Sequence, residues 1–338
     1  SYRRGRETVG DLDILVVSSA PEQVMDHFAS FPAVEETIAR GDTKMSIRLT
    51  TSFQVDLRVV PRESFGAAFQ YFTGSQAHNV HLRGLARQRG LKINEYGIFR
   101  VEEEDEIYIA GETEEDLYAA LDLPVFAPEL REARREFEWA QHNTLPELIT
   151  TTDVIGDLHM HTTASDGKHS IEEMVAAARQ RGLQYIAITD HSQRVTMANG
   201  LDPGRLLEQW KQVDQFNETL DDDFLVLKGI ECDILEKGGM DLPDEVLAQA
   251  DWVLAAIHYG QKQPREQITD RLLEAIANPH VCSVAHPTGR LINRREPYAV
   301  DMDAVFQAAA DHGKMLELNA NPVRLDLDDI QCAAAHSH

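Results

Sequence analysis

The segment that most restricts the possible fold is residues 156–167, Gly-Asp-Leu-His-Met-His-Thr-Thr-Ala-Ser-Asp-Gly. Side chains on an extended strand share a face at every second residue, so the imidazoles of His159 and His161 should point the same way. Two neighbouring imidazoles can begin a metal site, and Asp166 adds an oxygen ligand from the following loop. The segment therefore predicts a strand that carries metal ligands at its end.

The same arrangement recurs downstream, where four short apolar runs each end in a histidine or a glutamate. The residues at their ends are His191, Glu231, His258 and His286. Parallel β/α barrels gather side chains at the C-terminal ends of their strands, and this repetition is typical of such a barrel. A lone strand-end histidine is usually structural or solvated, but the full set favours one shared metal site.

Hydrophobic periodicity predicts the helices and strands that carry these residues. In the second half, helices are predicted over residues 170–181, 203–219, 264–277 and 301–312, alternating with the apolar runs. In the first half, the patterns predict helices over 21–28, 76–89, 114–121 and 129–141, and strands over 44–50 and 52–60. Alternation of strand and helix indicates an α/β fold in the second half, whereas the first half indicates α+β.

A second group of carboxylates lies near the start of the chain. Asp11 and Asp13 are spaced to share one face of a strand, and the apolar run over 14–17 predicts that this strand is buried. Asp56 lies in the strand predicted over 52–60. Neighbouring carboxylates repel each other unless a hard cation lies between them, so Mg²⁺ is the expected occupant. Three such carboxylates predict a two-metal site for phosphoryl transfer.

Composition restricts the function classes. The length of 338 residues suggests two domains, and no apolar run is long enough to span a membrane. The net charge of −25 argues against a polyanionic partner. However, residues 1–100 hold 13 Lys and Arg against 11 Asp and Glu. The excess negative charge therefore lies in the rest of the chain. The three cysteines are far apart, which favours a reducing cytoplasm over a disulfide framework.

From about residue 155 onward, the His-x-His segment and the strand-end residues resemble the PHP (polymerase and histidinol phosphatase) phosphoesterase family. The resemblance implies a distorted (β/α)7 barrel with up to three Zn²⁺, Mn²⁺ or Fe²⁺ ions. The implied metal ligands are His159, His161, Asp166, His191, Glu231, His258 and His286. The last motif of the family, Asp-x-His, has no match, so we expect the barrel to be incomplete at its C-terminus.

Residues 1 to about 100 resemble the palm and nucleotide-selecting subdomain of the X-family DNA polymerases, the DNA polymerase beta type. The matching motifs are Ser-x-Arg-Arg-Gly, Gly-Asp-x-Asp, Asp56, Tyr-Phe-Thr-Gly-Ser and Asn-Glu-Tyr. The resemblance implies that three aspartates are catalytic and bind two Mg²⁺: Asp11, Asp13 and Asp56. The residues that would contact the nucleotide are Ser1, Arg4, Gly10, Tyr71, Phe72, Gly74 and Asn79. The residues that would contact DNA are Arg83, Glu95 and Tyr96. Gln54 stands where vertebrate relatives carry arginine, so we expect the ion pair that orients Asp56 to be absent.

Together these resemblances divide the chain into a polymerase part over 1–110, a linker with helices over 111–152 and a PHP domain over 153–338, truncated at both ends. They imply a DNA polymerase with PHP-domain 3′–5′ exonuclease or 3′-end processing activity, in gap filling and base excision repair. Its partners would be dNTPs and gapped or nicked DNA with a primer 3′ end. We expect a monomer in the cytoplasm, associated with the nucleoid. Two alternatives are a histidinol-phosphatase-like small-molecule phosphatase with an inactive nucleotidyltransferase domain, and a non-catalytic scaffold that holds DNA.

Overall fold

The computed structural model describes residues 1–102, 105–220 and 224–338. The chain divides into two compact units, Ser1–Glu147 and Leu148–His338. Among the described residues, none of the helices combines the length and the apolar character needed to cross a bilayer. The predicted combination of an α+β part and an α/β part is confirmed, and the two units are described separately below.

The first unit begins with a four-stranded sheet and one covering helix. Its strands are β1 (Asp11–Val17), β2 (Val34–Arg40), β3 (Lys44–Leu49) and β4 (Gln54–Val60), arranged in the order β1-β4-β3-β2. Strand β1 runs parallel to β4, whereas β3 is antiparallel to both β4 and β2. Helix α1 (Pro21–Ala29) starts at a proline that needs no amide hydrogen bond there, and buries Met25 against the sheet.

The prediction that β1 is a buried strand is wrong. Ile14 and Val17 are 39% and 38% exposed, although Leu12 and Val16 pack against the core of the sheet. The physical reason is the position of β1 in the sheet order. Within the described residues β1 pairs with β4 alone, so its second edge is open and its apolar residues are only partly covered.

The rest of the first unit packs helices around a small antiparallel sheet. Its elements are α2 (Phe65–Thr73), α3 (Gln76–Gln88), β5 (Leu91–Asn94), β6 (Gly97–Glu102), β7 (Asp105–Ala110), α4 (Glu114–Ala119) and α5 (Glu136–His142). Its core includes Ile98, Leu117 and Phe126, each 0% exposed.

The helix predicted over 129–141 is only partly present, because Pro128–Leu130 forms a single 3-10 turn and α5 starts at Glu136. Ala133 has a left-handed backbone, with φ of 55°. The Glu136 carboxylate accepts the amides of Ala133 and Arg134 at 2.6 and 2.9 Å. A continuous helix is incompatible with this local arrangement.

The second unit is a parallel sheet whose strands follow one another in space as they do along the chain. The six strands are β8 (Gly156–Met160), β9 (Tyr185–Ile188), β10 (Leu225–Asp233), β11 (Trp252–Ala256), β12 (Ser283–Val284) and β13 (Met315–Leu316). The helices are α6 (Ile171–Gln180), α7 (Pro203–Asn217), α8 (Asp244–Leu247), α9 (Arg265–Ala277), α10 (Met302–His312) and α11 (Asp329–Ala335). Sequential parallel order is typical of a β/α barrel, so the predicted α/β class is confirmed with six strands in the described part of the chain.

A histidine-rich candidate metal centre and a carboxylate strand pair

The five strand-end histidines of the second unit converge on one buried carboxylate, Glu231 on β10. Glu231 is 1% exposed. The nitrogen–oxygen distances to Glu231 are 3.4 Å from His159, 3.7 Å from His161, 2.9 Å from His191, 3.3 Å from His258 and 2.9 Å from His286. The parallel sheet explains this convergence, because each histidine lies at or just after the C-terminal end of its strand.

Asp166 joins this cluster from the loop after β8. Its oxygens lie 4.0 Å from His161 Nδ1 and 3.7 Å from His191 Nε2, and its side chain is half exposed. The rings of His161 and His191 stack with centroids 4.4 Å apart. All seven residues that the PHP resemblance implied therefore lie together in the structure.

Three overlapping groups in this cluster have their ligand atoms within 4.8 Å of one another. The groups are His159–His161–Glu231, His161–Asp166–His191 and His191–Glu231–His258. His286 lies beside them, on Glu231. Imidazole and carboxylate together suit Zn²⁺, Mn²⁺ or Fe²⁺.

Unsatisfied atoms inside the cluster fit a cation. The Nδ1 atoms of His161, His191 and His286 and the Oε2 atom of Glu231 are buried without a hydrogen-bond partner. His191 Nδ1 is 2.9 Å from Glu231 Oε2, but the pair lacks hydrogen-bond geometry. Buried polar atoms are rarely left unsatisfied, and cations between these nitrogens and oxygens would satisfy them.

The electrostatics of the cluster follow from burial and close packing. Burial alone would raise the pKa of Glu231, but the imidazoles of His159 and His258 hold it well below the usual range. Burial alone would also lower the pKa of His159, but the carboxylates of Glu231 and Glu317 outweigh it and raise that pKa to about 10. Burial lowers the pKa of His161 to about 4, helped by His191 and His159 and opposed by Glu231. Strongly perturbed groups that face one another are typical of functional sites.

Sequence reasoning missed two carboxylates around this cluster, Glu317 and Asp233. Glu317 Oε1 lies 2.6 Å from His159 Nδ1, and Asp233 Oδ1 lies 3.1 Å from His258 Nδ1. A signal for Glu317 was available, because it directly follows β13 in the same way that the other cluster residues follow their strands. Asp233 ends β10 two residues after Glu231, so on a strand it shares the face of that glutamate.

In the first unit, the pairing of β1 with β4 sets the three aspartates side by side. Asp13 and Asp56 are direct partners in the parallel register, and Asp11 precedes Asp13 by two residues. Burial raises the pKa of Asp13, and the negative charges of Asp11 and Asp56 raise it further. Asp11 and Asp13 line a cavity of about 170 Å³ with Ser1 and Phe72. Facing carboxylates of this kind fit Mg²⁺.

These aspartates are less tightly gathered than the histidine cluster. In the described part of the chain, the groups of three ligand atoms within 4.8 Å all lie in the second unit. The oxygens of Asp56 are engaged elsewhere, since Gln54 Nε2 donates to Oδ1 at 2.9 Å and Lys44 Nζ lies 3.6 Å from Oδ2. Position 54 thus gives Asp56 a hydrogen bond from a neutral amide in place of an arginine ion pair, and a separate ion pair comes from Lys44 on the neighbouring strand β3.

Two further residues of the polymerase resemblance, Asn79 and Arg83, lie on α3 and donate hydrogen bonds to backbone carbonyls. Asn79 is 9% exposed and donates to the Tyr71 carbonyl at 2.8 Å and the Gly74 carbonyl at 3.4 Å, so its amide supports the turn between α2 and α3. Arg83 donates to the Asn79 carbonyl at 3.2 Å, one turn along α3.

Four other residues of that resemblance range from the largely buried Arg4 to exposed positions. Arg4 pairs with Glu132. Tyr96 is 56% exposed, next to Glu95 in the turn between β5 and β6. Gly10 directly precedes β1.

Comparison with known proteins adds two family matches and several relatives. The model of the DNA polymerase beta thumb matches residues 68–132, and the model of the PHP domain matches residues 157–321. A protein of Bacillus subtilis described as "DNA polymerase/3'-5' exonuclease PolX" is 44% identical over 334 residues, which cover 97% of this chain and 57% of that protein. The chain thus spans little more than half the length of this relative.

Other relatives match about half of the chain or resemble it only weakly. Probable phosphatases of Acetivibrio thermocellus and Edwardsiella ictaluri are 32% and 34% identical over 167 residues, covering 48% of this chain and 64% and 63% of those proteins. A solved ternary complex of Leishmania infantum polymerase beta aligns with 39% of this chain and 64% of that chain at 24% identity. Its TM-score is 0.33.

Proposed function

We propose that the chain is a member of the X-family DNA polymerases that carry a PHP domain, with nucleotide transfer in its first unit and phosphoester hydrolysis in its second. The substrates are dNTPs and gapped or nicked DNA, and the hydrolysis removes nucleotides or blocking groups from the 3′ end. The similarity to the Bacillus protein, which extends over both units, supports this pairing of activities.

The observation that carries the hydrolytic proposal is the convergence of five imidazoles on Glu231. We assign Zn²⁺, Mn²⁺ or Fe²⁺ to this cluster, up to three ions in all. When bound, such cations neutralise phosphate charge and lower the pKa of a water molecule. Glu231 lies at the centre of the cluster, and Asp166, whose side chain is 50% exposed, is the member most accessible to a phosphoester.

In the first unit, we assign two Mg²⁺ ions to Asp11, Asp13 and Asp56. When bound, these ions supply the charge compensation that in-line phosphoryl transfer needs. The hydrogen bond from Gln54 and the nearby Lys44 ammonium lower the pKa of Asp56 against the effect of burial, so this carboxylate is held ionised. Arg4 and the exposed Tyr96 and Arg83 are proposed contacts for nucleotide and DNA.

The small-molecule phosphatase alternative is not favoured. The probable phosphatases match only about half of this chain, whereas the Bacillus protein matches 97% of it. A phosphatase hypothesis leaves the strand pairing of Asp13 with Asp56 without a role.

Two single substitutions test the two activities separately. His159→Ala should abolish cleavage of a 3′-labelled oligonucleotide and leave nucleotide incorporation on gapped DNA intact. Asp56→Ala should have the opposite effect, because each substitution removes a ligand of only one site.

Matched controls are His169→Ala and Asp42→Ala, at exposed positions of the second and first unit. Each control variant should retain cleavage of the oligonucleotide and nucleotide incorporation. Cleavage that survives His159→Ala, or incorporation that survives Asp56→Ala, would contradict the corresponding half of the proposal.

A further inference from the structure

Glu317 connects two members of the histidine cluster that lie on different strands. Its Oε1 is 2.6 Å from His159 Nδ1, and its Oε2 accepts the backbone amide of His286 at 2.5 Å. Asn319 Nδ2 donates to the same Oε1 at 3.2 Å. The carboxylate is only 12% exposed, so these contacts form largely out of water.

The contact with His159 selects one tautomer of that imidazole. A carboxylate accepts a hydrogen bond from the ring nitrogen it faces, so Nδ1 keeps its hydrogen and the nitrogen left for a cation is Nε2. Nε2 faces the centre of the cluster, 3.4 Å from Glu231 Oε2. Asp233 holds His258 in the same way, with Nδ1 toward Asp233 and Nε2 toward Glu231.

The contact with His286 acts on the backbone. His286 has φ of 31°, in the left-handed region that residues with a Cβ rarely adopt. Such a conformation persists only where its surroundings hold it. The hydrogen bond from the His286 amide to Glu317 supplies one such contact, while Nε2 of the ring lies 2.9 Å from Glu231 Oε1.

From these contacts we propose that Glu317 is a positioning residue of the metal centre, which aims His159 Nε2 and holds the backbone of His286. The proposal rests on the proposed function, in which this cluster binds divalent cations. Glu317 is not itself assigned as a ligand, because both of its oxygens are engaged by protein donors. Carboxylates that hold a ligating histidine in this way raise metal affinity without touching the ion.

The test measures Zn²⁺ binding to the whole chain by competition with a chelator of known affinity. Glu317→Gln should lower the Zn²⁺ affinity by about 10- to 100-fold. It should leave the number of ions bound at saturation unchanged, because no ligand is lost. The matched control is Glu266→Gln on the exposed surface of α9, which should bind Zn²⁺ like the unmodified chain.

A second readout reports the tautomer directly. In the Zn²⁺-loaded chain, nitrogen-15 NMR of the imidazoles should show His159 with its hydrogen on Nδ1, and the Nδ1 signal should shift in Glu317→Gln, where a neutral amide replaces the carboxylate. If Glu317→Gln fails to fold, the spectrum of the unmodified chain still decides the question, because His159 with its hydrogen on Nε2 would overturn the proposal.

The outcomes separate this inference from the proposed function. Unchanged Zn²⁺ affinity and an unchanged His159 Nδ1 signal in Glu317→Gln, with Zn²⁺ bound normally by the unmodified chain, would refute the positioning role alone. A lower number of ions at saturation would make Glu317 a ligand and also refute it. An unmodified chain that binds no divalent cation at this cluster would refute both.

Discussion

At the scale of single residues, Arg131 and Glu231 show two ways of accommodating a buried charge. Each is 1% exposed, and a buried charge is costly unless it is paired. Arg131 is neutralised by Glu114 and donates from Nε to the Phe126 carbonyl at 2.9 Å, which completes a purely structural arrangement. Glu231 is surrounded by imidazoles whose nitrogens are not all satisfied, which is the arrangement of a binding site.

The Arg131–Glu114 pair predicts a pH-dependent loss of stability. Burial alone would raise the pKa of Glu114, but hydrogen bonds from Arg131 and Arg3 lower it below the usual value of 4.5. A carboxyl group whose pKa is lowered by folding stabilises the fold fully above pH 4.5, its pKa in the unfolded chain. This stabilisation disappears as the pH falls through the lower pKa of the folded protein. Glu114→Gln should lower the free energy of unfolding at pH 7 by about 3 kcal/mol, because the Arg131 charge stays buried without a counter-charge.

The measurement is urea denaturation of the unmodified chain and of Glu114→Gln between pH 7 and pH 3. The difference in their free energies of unfolding should shrink as the pH falls below 4.5. Glu115→Gln, an exposed neighbour in the same turn of α4, is the matched control and should be neutral. A Glu114→Gln effect that is independent of pH would contradict this explanation.

Gln54 supports a second prediction at the residue scale. It donates to Asp56 at 2.9 Å, and a hydrogen bond to the ionised form lowers a carboxyl pKa. Gln54→Leu should therefore raise the pKa of Asp56. Carbon-13 NMR titration of the carboxyl groups in metal-free protein measures it, with exposed Asp42 as an internal reference that should not move. An unchanged Asp56 pKa would leave Lys44 and Ser46 as the groups that set it.

At the scale of elements, the order of strands in a sheet decides which apolar side chains are buried. Ile14 on β1 and Leu57 on β4 are direct partners in the register, yet Ile14 is 39% exposed and Leu57 is 5% exposed. The two side chains have similar size and β-sheet surroundings. The difference in exposure therefore comes from the position of each strand, one at an edge of the sheet and one inside it.

This pair gives a matched test of the edge position. Leu57→Ala should destabilise the first unit by about 3 kcal/mol, because it opens a cavity in the core of the sheet. Ile14→Ala should cost about 1 kcal/mol or less, since much of that side chain remains in water in the folded state. Equal losses in chemical denaturation would show that β1 is covered in solution.

The N-terminus of α6 offers a further test at this scale. Ser170 and Glu173 form a capping box, in which each side chain accepts the backbone amide of the other. Ser170→Ala should cost about 1 kcal/mol, because the Glu173 amide at the helix start loses the Ser170 hydroxyl as its acceptor. Ser170→Asp should restore most of that stability, since aspartate caps equally well. Denaturation curves that fail to distinguish the two variants would argue against the cap.

At the scale of the whole molecule, the two units should respond differently to a transition metal. Binding to the folded state raises stability by about 2.7 kcal/mol at a ligand concentration 100 times the Kd. Zn²⁺ should therefore raise the temperature of the calorimetric transition that belongs to Leu148–His338. His159→Ala should reduce this shift, whereas Glu114→Gln should lower the other transition. A Zn²⁺ effect that persists in His159→Ala would place the ion elsewhere.

The sequence alone identified most of the secondary structure and all seven members of the histidine cluster. Both follow from local rules, because helix and strand periods depend on neighbouring residues and strand ends in a parallel sheet meet at one edge. For the same reason it predicted the pairing of Asp11 and Asp13 on one strand face. The break between Pro128–Leu130 and α5 was missed, since it depends on how the Glu136 side chain folds back on two amides.

Only the tertiary structure decided three other features. The exposure of β1 depends on the order of strands, which no local pattern contains. The Lys44–Asp56 pair needs the register of β3 on β4. The contact between Glu317 and His159 joins residues 158 positions apart. These features depend on which distant side chains come into contact, and that is settled by packing rather than by the periodicity of any one segment.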